Sequence, residues 1–277
     1  MQADLPYILA LSFQKGIGDL TARKIIQFFG SAEKAWNSSS RDLMQISGIG
    51  QQISKDFGNK KYLDLAFNEI EYCKKNEISI LTIYDDNYPA LLKECSDAPI
   101  VLFTKGNIEF NQSNNKKISI VGTRKMTNYG RNFIAELCEG LAEFDVKIIS
   151  GLAYGCDIEA HSQALNNKLS TYAVMATNFE RIYPAAHKKV ANEMLINGGW
   201  ISEQPSFKAV IPEAFLQRNR IIAGISDVTI VVESAFKGGS LVTAKFANEY
   251  NREVFALPGK TTDSLSVGCN YLIKTQQ

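Results

Sequence analysis

Hydrophobic positions follow two regimes along the chain. Over residues 1–65 they recur at helical spacing between glycine turns: Leu20–Phe29 places Ile25, Ile26, Phe28 and Phe29 near a 3.6-residue period, and Gly30 supplies a stop. From Lys117 onward short, nearly all-apolar runs take over, at Ile118–Val121, Val146–Ser150, Thr171–Met175, Trp200–Ser202, Val228–Val232 and Val254–Leu257. Amphipathic stretches separate most of them; Asn132–Phe144, for example, carries Phe133, Ile134, Leu137, Cys138 and Leu141 on one face. Strands that are apolar on both faces and alternate with helices predict a mostly parallel sheet covered on both sides. The expected fold class is therefore α/β: an extended Rossmann-like, doubly wound sheet preceded by a small all-helical domain.

Residues 66–115 are transitional. A helix-like stretch near Leu65 to Lys75 leads to the β-branched run Ile78–Ile83, then to Tyr88-Pro89, Pro99 and the strand-like Ile100–Phe103, closed by Gly106-Asn107. A solvated linker does not carry so many large apolar residues, so this region reads as an edge extension of the sheet. The predicted domains are thus 1–65 and 66–277, with Asn111–Asn115 as an exposed loop. Within the first, the tripeptide Gly-Ile-Gly stands at 16–18 and again at 48–50, each time ahead of a helical run. The pair resembles helix-hairpin-helix units, whose glycine turn aims backbone N–H groups at a DNA phosphate. A helical bundle that needs glycine only for tight turns accounts for it too, and basic side chains are sparse around both.

Charge changes this picture in one respect. The 277 residues carry 30 Lys and Arg against 29 Asp and Glu, a net charge of +1, so no general cationic surface is available. Residues 1–115 sum to −2 and residues 116–277 to +3, which puts the positive surplus on the predicted sheet domain. Five cysteines (73, 95, 138, 156 and 269) form no C-x-x-C pair, and the only histidines are His161 and His187. Buried thiols in a reducing compartment fit this better than a disulfide framework or a zinc site. No run approaches 18 apolar residues, and Met1–Pro6 has neither the basic start nor the apolar middle of a signal peptide. A soluble, cytoplasmic chain with no membrane contact, metal or cofactor is expected.

In a doubly wound sheet, ligands bind beyond the carboxyl ends of the strands, and small polar residues gather there. The first strand of the series is followed by Gly122-Thr123-Arg124-Lys125, the second by Ser150-Gly151-Leu152-Ala153-Tyr154-Gly155, and the run at 228–232 by Glu233 to Ala244 with Lys237, Gly238, Gly239, Ser240 and Thr243. Glycine permits close backbone approach, hydroxyls and helix-start amides donate, and Arg offers a planar fork for phosphate. Neither G-x-G-x-x-G nor a P-loop sequence is present. Arg218 and Arg220, two apart on a predicted helix, diverge, so one can point into the crevice. Asp157 and His161 lie at i, i+4, a spacing for a structural hydrogen bond or an acid/base pair. No serine or cysteine sits in a nucleophile elbow, and no catalytic residue is assigned.

Taken in order, these turns resemble the DNA processing protein A family (DprA, also called Smf). The match runs through Ile120–Arg124, Ser150–Ala153, Gly155, Asp157, Ala160-His161, Tyr183-Pro184, Arg218–Gly224, Gly239–Ala244, Pro258-Gly259 and Gly268–Asn270, with Tyr88-Pro89, Leu91-Leu92, Pro99, Leu102-Phe103 and Lys105-Gly106 upstream. The resemblance implies a non-enzymatic protein that binds single-stranded DNA, dimerises through its Rossmann-like domain and loads RecA on incoming strands during natural transformation. It also implies protection of those strands, help in displacing single-strand-binding protein, and a sterile-alpha-motif-like N-terminal domain. Carried over by position, the implied DNA contacts are Gly122, Thr123, Arg124, Ser150, Gly151, Arg218, Asn219, Gly239, Ser240 and Thr243. Arg220, Lys237 and Gly238 flank them, and Tyr154 and Phe179 are candidates to stack on a base or to pack at the rim.

Three departures stand out: Tyr154 where relatives commonly have Arg, Ala176-Thr177-Asn178 in a loop usually richer in glycine, and Gln217 for a frequent Arg. Many relatives continue into a C-terminal winged helix, absent here, so a shortened form is expected. The competing expectation is a nucleotide-binding enzyme acting on nucleotide monophosphates, with phosphate on Gly238-Gly239-Ser240 and acid/base groups among Asp157, His161 and Glu249. A third is an interaction module that bridges RecA without touching DNA.

Overall fold

The structure, a computed structural model, describes residues 4–112 and 116–275, and the chain divides into two compact units. The first runs up to Tyr88 and includes Ser96–Phe103. It contains α1 (Leu5–Phe13), α2 (Asp19–Phe29), α3 (Ala32–Trp36), α4 (Ser40–Leu43), α5 (Gln51–Asp56), α6 (Lys60–Lys75) and β1 (Ser79–Thr82). Leu9, Leu11, Ile25 and Leu43 are fully buried in it; a side chain of this size stabilises by roughly 1.5–3 kcal/mol when buried.

The two Gly-Ile-Gly turns have one geometry. Gly16 and Gly48 take φ of 87° and 92°, conformations cheap only for glycine, and Gly18 and Gly50 cap α2 and α5 with φ/ψ of −93°/172° and −95°/175°. Ile17 and Ile49 are buried between them. The unit extends past residue 65 because α6 runs unbroken through it, keeping Tyr62, Ala66, Glu69 and Cys73 on a buried face. The Tyr88 hydroxyl donates to the Pro99 carbonyl at 2.6 Å and the Ile100 N–H to Asp19 at 2.9 Å, which ties Ser96–Phe103 into the unit.

The second unit comprises Pro89–Cys95 and the chain from Thr104. α7 (Ala90–Lys93) lies in it, and β2 (Val101–Gly106) begins in the first unit and ends here. Then follow β3 (Lys116–Val121), α8 (Asn128–Leu141), β4 (Val146–Ser150), α9 (Cys156–Asn166), β5 (Ser170–Val174), α10 (Lys188–Met194), β6 (Gly198–Ser202), α11 (Glu213–Ile225), β7 (Val228–Val231), α12 (Gly239–Glu249), β8 (Glu253–Ala256) and α13 (Val267–Thr275). The strands are ordered β6-β5-β4-β3-β7-β8, each pair parallel. The end of β2 lies beside β6, where Gly199 comes close to the Lys105 carbonyl. The mostly parallel α/β sheet expected from the apolar runs is therefore present.

Ile120 and Ile148 pack with Ile134 and Cys138 of α8 and Ala160 and Ala164 of α9 in one cluster. Ala173 and Trp200 pack with Ala191 and Met194 of α10 in another. From β3 the chain steps outward through β4, β5 and β6, and α11 then brings it back to lay β7 on the other side of β3. The carboxyl ends of β3 and β7 thus flank a topological switch point, where such sheets open a crevice. All five cysteines are free and buried. Among the described residues no helix is long and apolar enough to cross a membrane. Asn111 and Gln112 of the expected loop are exposed, and Ser113–Asn115 lie outside the described residues.

Candidate nucleic-acid interface

A crevice of about 260 Å³ opens at the switch point. The loop after β3 supplies Gly122, Thr123 and Arg124; α11 supplies Phe215, Arg218, Asn219 and Ile222, whose three- and four-residue spacing puts them on one helix face; α12 supplies Ser240 and Thr243 behind Gly238 and Gly239. The first N–H groups of a helix have no intrahelical acceptor. At α8 they are met from within, by the Thr127 side chain, while the buried Glu233 carboxylate accepts the Thr127 N–H at 2.8 Å. At α12 the cap is Gly238, which has no side chain to perform that task, and Gly238, Gly239 and Ser240 line the crevice, so the positive end of that helix borders it.

Two guanidiniums serve the site from different depths. Arg218 is buried; it donates to the Val174 carbonyl and, through Nε, to Asn219 Oδ1 at 3.2 Å. The buried Asp157 accepts the Ala153 N–H at 3.2 Å. Burial pushes the Asp157 carboxyl up from its ordinary value, against the pull of the nearby Arg218. Burial likewise lowers Arg218, and Asp157 opposes that shift. Both groups close over Gly151, where an added Cβ would run into Asp157 Oδ2 and stand 2.7 Å from Arg218 Nη2. Arg124 is exposed at the mouth.

A second pocket of about 90 Å³ adjoins the first and shares Arg124, Ala153, Phe215 and Arg218 with it. Tyr154, Tyr183, Leu152 and Met175 give it an aromatic and apolar lining.

Of the residues singled out from the sequence, Gly122, Thr123, Arg124, Arg218, Asn219, Gly238, Gly239, Ser240 and Thr243 line the crevice, and Tyr154 lines the pocket beside it. Five do not reach either space. Ser150 is fully buried and donates to the Ile120 carbonyl at 2.6 Å, joining the end of β4 to β3. Gly151 lies buried beneath Asp157 and Arg218. Phe179 is half-buried against Trp200, ring centroids 5.8 Å apart. Arg220 pairs with Glu203 on a different face of α11 from Arg218, and Lys237 is exposed outside the lining.

The Asp157–His161 hydrogen bond suggested by their spacing is not formed. His161 Nε2 lies 2.7 Å from the Gly151 carbonyl and Nδ1 2.7 Å from Thr171 Oγ1. A carbonyl only accepts, so Nε2 carries the hydrogen, while on the other side of the ring Thr171 donates its own hydroxyl proton to the Ile148 carbonyl at 2.9 Å. Burial holds this imidazole down at about 4. Glu249 ends α12, 3.7 Å from Lys245, and is likewise outside the crevice. Phe215 and Tyr183 line these spaces without having been assigned to the site: Tyr183 carries part of the family resemblance, and Phe215 is three residues before Arg218, the sequence signal that could have placed it.

A family model described as DNA recombination-mediator protein A matches residues 79–276. Protein Smf of Synechocystis is 35% identical over 270 residues, which is 96% of this chain and 68% of that protein. The X-ray structure of DNA processing protein A from Streptococcus pneumoniae superposes with a TM-score of 0.79 at 31% identity, covering 97% of this chain and 92% of that one. A Helicobacter pylori DNA processing protein A, solved for its single-stranded DNA binding mode, superposes with a TM-score of 0.63 at 30% identity, over 72% of this chain and 88% of that one.

Proposed function

The chain belongs to the DNA recombination-mediator protein A family, and on that premise we propose that it binds single-stranded DNA in the crevice between the ends of β3 and β7. What carries this reading is one juxtaposition: an open helix N-terminus and two arginines, one buried and one exposed, beside a pocket lined by tyrosines. The first three are suited to phosphate, the last to a base. Phosphate contacts fix position and stacking tolerates any base, so binding is sequence-tolerant.

We extend the proposal to the partners implied by the family: the chain works as a homodimer, hands the strand to RecA during natural transformation, protects it meanwhile, and helps to displace single-strand-binding protein. No catalytic step is assigned. Of the three acid/base candidates for a nucleotide hydrolase, only Asp157 lines the crevice, and it is already engaged with the Ala153 N–H and beside Arg218.

Mobility shift of oligo-dT, the corresponding duplex and thymidine monophosphate tests the reading. Oligo-dT is expected to bind with a log–log salt slope of roughly −3 to −4, as for about 4–6 neutralised phosphates on a single strand. Equal affinity for the mononucleotide would sink the proposal in favour of a nucleotide-binding enzyme. Binding to RecA without any shift of oligo-dT would favour a pure interaction module.

A further inference from the structure

Resting on the single-stranded DNA reading above, we propose that the pocket beside the crevice is a nucleobase slot and that His187 is the positioning residue for its exposed aromatic wall, Tyr154. Both histidines of the chain bond to the loop after β4. His161 takes the Gly151 carbonyl, and His187 Nδ1 lies 2.7 Å from the next one, that of Leu152. Because a carbonyl only accepts, Nδ1 of His187 carries the hydrogen. The His187 ring is buried and meets the Tyr154 ring edge to face, centroids 4.7 Å apart and planes at 74°, the arrangement aromatic quadrupoles favour. A single imidazole therefore holds both the backbone at Leu152 and the side chain two residues on.

That matters because Tyr154 is 51% exposed. A loop tyrosine so open would sample several rotamers; held by His187, it keeps one, and less freedom remains to be lost when a base arrives. A second aromatic pair, Tyr183 and Phe215 with centroids 5.4 Å apart, lines the same pocket, and Leu152 and Met175 add apolar wall beside them and the two arginines. One ordered water needs roughly 10–15 Å³ of such space, so 90 Å³ is on the scale of one nucleobase rather than of a metal ion or a whole nucleotide. Arg124 and Arg218 border both spaces, so a strand whose phosphate sits in the crevice has a base in reach of the slot. His187 does not itself line the pocket. Its part is to aim Tyr154.

The test compares oligo-dT of about 16 nucleotides with an abasic oligomer of equal length and charge. The wild-type chain is expected to favour oligo-dT roughly tenfold, the lower range of stacking gains at tenfold per 1.4 kcal/mol. Tyr154→Leu, a change at an exposed position, should abolish that preference while leaving the abasic affinity and its salt slope as they were. His187→Ala should remove most of the preference. His187→Asn, which offers Leu152 a donor but brings no ring, should recover thermal stability without recovering the preference. The double variant should lose no more than Tyr154→Leu alone. A preference that survives Tyr154→Leu, or losses at 154 and 187 that simply add, overturns the proposal. A wild-type chain that binds neither oligomer overturns instead the reading on which it rests.

Discussion

Arg124 and Arg218 meet an anion under different conditions. Arg218 is already engaged with Val174 and Asn219, beside Asp157, whereas Arg124 is exposed at the mouth and its full charge is available to a phosphate. Arg124→Ala should flatten the single-strand salt slope by about 0.7, with thermal stability little changed; an unaltered slope in oligo-dT titrations would show that the phosphate lies elsewhere. Gly151→Ala should act through the fold instead, since its methyl meets Asp157 and Arg218. A loss of about 1–3 kcal/mol in urea unfolding is expected, typical for overpacking of this kind, together with weaker binding as Arg218 is displaced. The same contrasts separate what was legible in the sequence from what was not. Gly122, Gly238 and Ser240 could be found because only small residues leave room at a strand end or a helix start. Ser150, Phe179 and Arg220 could not be sorted, because composition does not say which way a side chain turns. Ser150 finds the Ile120 carbonyl, Phe179 finds Trp200 and Arg220 finds Glu203, all partners distant in sequence.

Strands β3, β4, β5 and β7 were legible to within one or two residues, since short apolar runs between helices are too brief to be helices themselves and too apolar to be solvated loops. The end of the first unit was not, because the periodicity of α6 passes residue 65 without a break. Nor could spacing along α9 reveal its tie to β5, in which His161 bridges the Gly151 carbonyl and Thr171. That tie carries a pH signature. The imidazole sits at about 4 in the folded chain against its ordinary 6.5, so between those values the unfolded chain binds a proton that the folded one rejects. The stability His161 contributes is complete above about pH 6.5 and is lost as pH falls toward 4, by about 3 kcal/mol. His161→Gln keeps a donor for Gly151 without titrating. Its urea unfolding free energy should lack this part of the acid decline, and parallel profiles for the two proteins between pH 7 and pH 4 would refute the assignment.

A chain of net charge +1 cannot hold a polyanion by its average field, so affinity has to come from local crevices, and a dimer that presents two to one strand raises it without any new contact. The order β6-β5-β4-β3-β7-β8 was not written in the sequence, because the same alternation of strands and helices suits any doubly wound order. The crevice was still foreseeable, because every such order has a switch point. For the proposed homodimer, the second unit offers the β8 side of its sheet. There Phe255 stands exposed on the outermost strand of the order, and Phe236 and Tyr271 form an exposed edge-to-face pair with centroids 5.6 Å apart, Tyr271 on the α13 helix that packs against β8. Unpaired strand edges and clustered exposed aromatics are surfaces that proteins cover. The Phe236→Ala/Tyr271→Ala variant should therefore scatter light as a monomer where the wild-type chain scatters as a dimer. It should bind an oligomer long enough for two crevices no better than one that fills a single site, while its single-site affinity stays at the wild-type level, because neither side chain lines the crevice. A variant that remains dimeric would move the interface to another face. A variant that turns monomeric yet keeps its advantage on long oligomers would show that one crevice suffices.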